Sequence, residues 1–316
     1  LSLPQPFPWP DGSVPAWRER PRLPPIPRAE IVRSLLLFLV TAASVFLTGG
    51  STPAEPGEPV LYGLNVLAGL KLATALFAIL VSHEMGHYLA CRYYRVDASL
   101  PYFIPFPLSL SGTLGAFIRI RQPIPNRRAL FDIGIAGPLA GFVVCLPVLV
   151  LGALEGRVVP SAGAGDGIGL GDPLVFQWVL QAVRGSLPDG TTLLLGPFGM
   201  AAWFGLFVTA LNMMPVGQLD GGHVTYSLWP RWAHTISRLG LIACVVLLYF
   251  RPTWILWTLL LLVLGRQPHF PTLDDTLPVG RTRLLVGLLG FAVFAICFTP
   301  TPIVLSWDEF LGNFGF

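Results

Sequence analysis

Apolar residues in this chain come in long runs rather than stripes. The runs cover about 31–49, 64–91, 129–153 and 195–215. A helix needs about 20 predominantly apolar residues to cross the hydrocarbon core of a bilayer, so each run predicts a membrane span. A polar turn with Pro53, Glu55, Pro56 and Glu58 separates the first two. The stretch 236–265 reads as a tight pair of spans broken at Arg251-Pro252. One unbroken helix would hold Arg251 at mid-bilayer, at a cost of at least about 2.5 kcal/mol. A last run covers 282–299.

Two segments depart from this pattern. Residues 96–127 are apolar but interrupted by Pro101, Pro105, Pro107, Pro123 and Pro125, which excludes a helix. Within them, Phe117-Ile118-Arg119-Ile120-Arg121 alternates apolar and basic, a period-2 strand signal, and Gly112 and Gly115 precede it. The pattern predicts that 112–121 forms a hairpin or edge strand able to pair with an extended partner. The competing reading is an interfacial loop whose arginines face lipid headgroups. Residues 173–183, after a Gly-rich loop, predict a short helix lying at the interface. The expected fold class is an all-α polytopic membrane protein with about six to seven transmembrane helices and a short re-entrant or interfacial β-like segment. The expected organisation is a Pro-rich disordered tail over 1–29 and a first helix with its outer turn over 30–63. A core of three helices follows over 64–230, and C-terminal helices with a tail over 231–316.

Composition agrees with lipid as the solvent. Of 316 residues, 53% are hydrophobic and 12% charged, against about 25% charged in soluble domains; mean hydropathy is +0.66. The net charge is +3, and the basic residues lie between apolar runs without forming a nucleic-acid patch. With the N-terminus inside, seven spans put most arginines on the cytoplasmic side, as the positive-inside rule requires. Nine prolines in residues 1–29 exclude a secretory signal peptide there. Cys91, Cys145, Cys244 and Cys297 lack CxxC spacing and read as apolar helix residues. Lys71 is expected to snorkel to the outer interface, and Trp229 and Trp232 to anchor at an interface.

The second run contains His83-Glu84-Met85-Gly86-His87. Residues four apart share a helix face, so both imidazoles can reach one metal, and Glu84 can reach a water bound to it. Three ionisable groups in five residues of an apolar helix are costly in lipid, which favours function over a polar helix–helix contact. A catalytic zinc takes three protein ligands and leaves one position open. The membrane-buried candidates for the third ligand are Asp132, Asp220 and His223. Asp220 follows the break at Pro215, on irregular backbone of the kind that lines cavities at membrane depth. The second and fourth spans run in the same direction, which brings the histidine motif and Asp220 to similar depth. Asp132 reads as a helix-start or water-cavity residue. Gly137 and Gly141 are expected to let helices approach closely.

His83-Glu84-Met85-Gly86-His87 together with Asn212, Pro215, Leu219, Asp220 and Gly221 resembles the site-2 protease family of intramembrane zinc metalloproteases. The stretch 134–141, Gly-Ile-Ala-Gly-Pro-Leu-Ala-Gly, resembles that family's Gly-Pro motif. The prolines and glycines of 101–128 are most similar to the branch shared by bacteria and plastids. The resemblance implies one zinc per chain, held by His83, His87 and Asp220, with Glu84 as catalytic base and Asn212 binding substrate or the developing oxyanion. His223 would assist the oxyanion, support Asp220, or make a local loop contact. It also implies regulated cleavage of single-pass or other membrane-protein substrates within the lipid bilayer, in a bacterial inner membrane or, alternatively, a plastid membrane. Only about 40 residues separate the third and fourth runs, too few for the PDZ domain that many members carry there. The rival classes are a multi-pass metal or ion transporter using the same buried ligands, and an inactive protease-like scaffold.

Overall fold

The computed structural model describes residues 23–52, 60–61, 63–161, 169–265 and 272–304. Most of the Pro-rich tail therefore lies outside the described residues, and the first helix begins two residues earlier than expected. Among the described residues, four helices are long and apolar enough to cross a membrane: α1 (Arg28–Gly50), α2 (Val66–Tyr94), α3 (Arg127–Glu155) and α7 (Ala233–Phe250). The remaining helices are shorter: α4 (Leu174–Arg184), α5 (Pro197–Asn212), α6 (Asp220–Leu228), α8 (Ile255–Gly265) and α9 (Arg281–Cys297). Local chemistry sets several ends. Asn65 caps α2 by accepting from the Ala68 amide at 3.0 Å, and Asn126 caps α3 through Ala129 in the same way. Pro197 opens α5, where its missing N–H costs nothing. The expected break at Arg251-Pro252 is present, as a 3-10 turn over Pro252–Trp254 between α7 and α8.

Among the described residues, three antiparallel strand pairs connect the helices: β1 (Val60–Leu61) with β2 (Leu64–Asn65), β3 (Tyr102–Pro105) with β4 (Thr113–Phe117), and β5 (Arg157–Pro160) with β6 (Thr191–Leu194). Within 112–121, where a hairpin or edge strand was expected, regular pairing occupies 113–117, and the chain runs on extended, bridging Ile120 to Ala98. The register shifts between Phe103 and Pro105, where proline has no amide to give the ladder.

The centre of the molecule is α2, α3 and α5, around Leu76, Ile79, Leu80, Cys145, Leu149 and Leu206, all buried. Glycine permits this proximity: Gly152 of α3 lies against Gly199 of α5, and Gly205 lies against Ile79 and Cys145. Helix α1 stands outside this centre and is inside-out by the standard of soluble proteins. Its buried face is Glu30, Thr41, Ser44, Val45, Gly49 and Gly50, while Leu35, Leu36, Leu39 and Val40 are exposed. Apolar residues face outward because lipid is there, and on the inward face Glu30 and Ser44 have polar partners.

Two charges that the sequence read as isolated have partners. Lys71 does not stand alone: its Nζ lies 2.8 Å from Glu155 Oε1 and over the Phe198 ring. Glu155 also accepts from the Phe198 amide at 3.0 Å, so one carboxylate ties neighbouring ends of α2, α3 and α5. Nor is Asp132 a simple helix-start residue. Arg283 of α9 holds it with a bidentate fork, Nε–Oδ1 2.8 Å and Nη2–Oδ2 2.7 Å, and the Tyr94 hydroxyl donates to it. A charge at the membrane edge is stabilised by such pairing, whatever its position in its own helix. All four cysteines are free and buried.

Candidate metal centre

Helix α2 presents His83 and His87 one turn apart, and both side chains are buried together with Glu84. Asp220 arrives from the other side. Helix α5 ends at Asn212, and the chain turns sharply through 213–219 before α6 begins at Asp220. That turn leaves no space for side chains at two points. A Cβ on Gly221 would collide with the Met213 carbonyl, and one on Gly222 with the Gly217 carbonyl. Gly217 itself has φ +52, and its amide donates to Ser237 Oγ of α7 at 2.9 Å, so α7 supports the loop from outside. Asp220 sits in the first turn of α6, where the helix dipole favours a carboxylate.

The three groups meet. His83 Nε2 and His87 Nε2 are 3.2 Å apart, and Asp220 Oδ2 lies 3.4 Å from the first and 3.2 Å from the second. Zinc bonds of about 2.0–2.1 Å at tetrahedral angles separate neighbouring ligand atoms by about 3.3–3.4 Å. The triangle therefore fits a tetrahedral zinc with one position left open. The tautomer fits as well. His87 Nδ1 lies 2.7 Å from the Ile133 carbonyl, which requires the proton on Nδ1 and leaves the Nε2 lone pair for a metal. Among the described residues, these three form the one group of histidine, cysteine and carboxylate side chains placed to hold a metal.

Helix α3 makes room for the imidazoles. Gly134, Gly137 and Gly141 share one face of α3. Gly137 lies against the His87 ring and Gly141 against His83, while Gly134 faces the Cβ of His223. The sequence assigned Gly137 and Gly141 to helix packing alone, and their spacing on one helix face was the available signal for this further role. Asn212 Nδ2 lies 3.1 Å from His83 Nε2, at the rim of the triangle. His223 lies on α6, three residues beyond Asp220, and is not one of the converging groups. Asp132, the other candidate, is engaged by Arg283.

Sequence reading missed one contact. The Ile118 backbone amide lies near the Glu84 carboxylate. The Arg119 carbonyl accepts from Ser99, and the Arg121 amide donates to the Asp97 carbonyl. In extended chain successive amides point to opposite sides. The Ile118 amide accordingly faces away from 97–99 and toward Glu84, so the strand's second edge runs past the metal site. No strand pairs with that edge of β4 among the described residues.

Comparison with known proteins agrees with this geometry. Residues 71–249 match the model for peptidase family M50. The probable zinc metalloprotease EGY1, chloroplastic, of Oryza sativa subsp. japonica is 31% identical over 314 residues, covering 90% of this chain and 52% of that protein. Its namesake in Arabidopsis thaliana is also 31% identical, covering 90% and 55%. The probable zinc metalloprotease EGY2, chloroplastic, of Oryza sativa subsp. indica is 32% identical over 251 residues, covering 74% and 44%. The chain thus spans about half the length of these relatives. With the histidine motif, the Asp220 loop and the glycine face of α3 inside the matched residues, the chain belongs to peptidase family M50, the site-2 protease family.

Proposed function

We propose that this chain is an intramembrane zinc metalloendopeptidase that hydrolyses peptide bonds of membrane-spanning proteins. The observation that carries the reading is the buried triangle of His83, His87 and Asp220 with Glu84 beside it. When bound, zinc lowers the pKa of a coordinated water to about 7 and polarises a carbonyl. Glu84 takes a proton from the attacking water and passes it to the leaving amine. The Ile118 amide lies near that carboxylate. Asn212, at the triangle's rim, donates to the developing oxyanion. A peptide bond within a helix is shielded by its own hydrogen bonds, so the substrate must be extended where it is cut. The free edge beside β4 offers an extended chain its backbone partners next to Glu84.

The catalytic core is 64–230, within six to seven spans whose N-terminus faces the cytoplasm. The membrane is a bacterial inner membrane, with the plastid membrane as the alternative that the relatives' names supply. Purified protein, its zinc counted, is incubated in detergent with single-pass membrane proteins, alongside Glu84→Gln and a chelator-treated sample. The reading expects cleavage that both treatments abolish, with zinc retained in Glu84→Gln. Cleavage surviving Glu84→Gln sinks the mechanism, and metal flux into vesicles without cleavage favours a transporter.

A further inference from the structure

We infer that Glu30 of α1 is a positioning residue for catalysis, clamping the strand that carries Ile118 so that its free edge is held against Glu84. None of the three converging groups comes from α1, yet this helix buries a carboxylate, with Glu30 only 5% exposed. A buried charge is tolerated only with partners. Glu30 has two, both on the hairpin. Its Oε1 accepts from the Leu100 amide at 2.8 Å, and its Oε2 pairs with the Arg121 guanidinium. The same guanidinium lies 3.7 Å from Asp97, and the Arg121 amide bonds the Asp97 carbonyl at 2.9 Å.

One carboxylate therefore grips both chains of the hairpin at the end remote from its turn. Other residues of α1 add to the grip. Ser34, one turn along from Glu30, donates to the Pro101 carbonyl, and Ser44 donates to the Gly112 carbonyl, each at 2.6 Å. Phe38 stacks edge-on against Phe103 between them. Three polar side chains of α1, Glu30, Ser34 and Ser44, thus hold the hairpin. From Arg121 the chain is extended back to Ile118, too short a path to absorb slack. Movement of Arg121 is movement of the Ile118 amide. Releasing the clamp withdraws the Ile118 edge from Glu84 and from the cleavage site, while the triangle, built on α2 and α6, is untouched.

The structural part stands by itself, and the kinetic part rests on the peptidase reading. The test is Glu30→Gln in the full chain, read by hydrogen exchange of peptides covering 97–101 and 117–121, by zinc content and by cleavage kinetics. Loss of a charge-assisted bond predicts exchange at those amides faster by about 10- to 100-fold, and kcat lower by a comparable factor, with zinc at the wild-type level. Reversing the pair, Glu30→Arg with Arg121→Glu, restores both readouts in part, which a merely misfolded helix would not do. Arg121→Gln, at the more exposed partner, carries the same test if Glu30→Gln does not accumulate. Unchanged exchange in either variant overturns the clamp whatever the activity. Changed exchange with unchanged kcat removes its catalytic role. A wild-type protein that cleaves nothing defeats the peptidase reading instead, and the exchange data still decide the clamp.

Discussion

Replacing Gly137 with alanine adds one methyl group to α3 where the structure has none to spare. The new carbon would lie 2.5 Å from His87 Cε1 and closer still to Nε2, the atom that faces the metal. Non-bonded heavy atoms rest about 3.5–4.0 Å apart, so the ring must retreat by about 1 Å or more. Retreat is hard, because His87 is buried and its Nδ1 is tied to Ile133 on the same helix as the intruding methyl. Metal sites tolerate displacements of about 0.2 Å in their ligands. Damage of this kind typically costs about 10- to 100-fold in metal affinity, or about 1.4–2.7 kcal/mol. Gly141→Ala is the internal control, since its methyl would sit 3.1 Å from His83 Cβ, a contact relieved by a few tenths of an ångström. Zinc affinity, measured by competition with a chromophoric chelator on purified protein, is expected to fall strongly for Gly137→Ala and slightly for Gly141→Ala. Wild-type affinity in Gly137→Ala, or the reverse order of the two variants, would refute the claim that this face of α3 seats the imidazoles.

Three further outcomes follow from the same geometry. Ile118→Pro removes the amide that faces Glu84 while keeping extended backbone, so cleavage should collapse with zinc still bound; normal cleavage would reject the strand-edge model. Asn212→Ala should lower kcat by about 10²–10³ at unchanged zinc content, and a loss confined to zinc would instead make Asn212 a support for His83. Asp132→Asn breaks the fork to Arg283, whose partners are about one-third exposed, so thermal denaturation should register only about 1 kcal/mol of lost stability and no loss of zinc.

What the sequence revealed depended on the range of the interaction. Runs of apolar residues placed the long helices within a few residues, because burial in lipid is a property of each segment alone. The His83–His87 spacing was legible for the same reason, since one helix turn sets it. Asp220 was reached through topology and resemblance, with Asp132 and His223 open beside it. The pairs Lys71–Glu155, Arg121–Glu30 and Arg283–Asp132 were not legible, being 84, 91 and 151 residues apart. No periodicity records which distant helix supplies a counter-charge, so Lys71 and Asp132 read as isolated charges. The Ile118 amide was hidden more deeply still, because every residue carries the same backbone group and only the tertiary structure aims it. The strand expected within 112–121 is there, with regular pairing over 113–117 and the alternating residues 117–121 continuing it as extended chain.

X-ray absorption at the zinc edge tests the central claim most directly, applied to the wild type and to Asp220→Ala. The account predicts one zinc per chain in the wild type, with two imidazole nitrogens and a carboxylate oxygen at about 2.0–2.2 Å, and a site emptied or altered in Asp220→Ala. A metal whose spectrum is identical in the two proteins would contradict it, because Asp220 would then stand outside the coordination sphere.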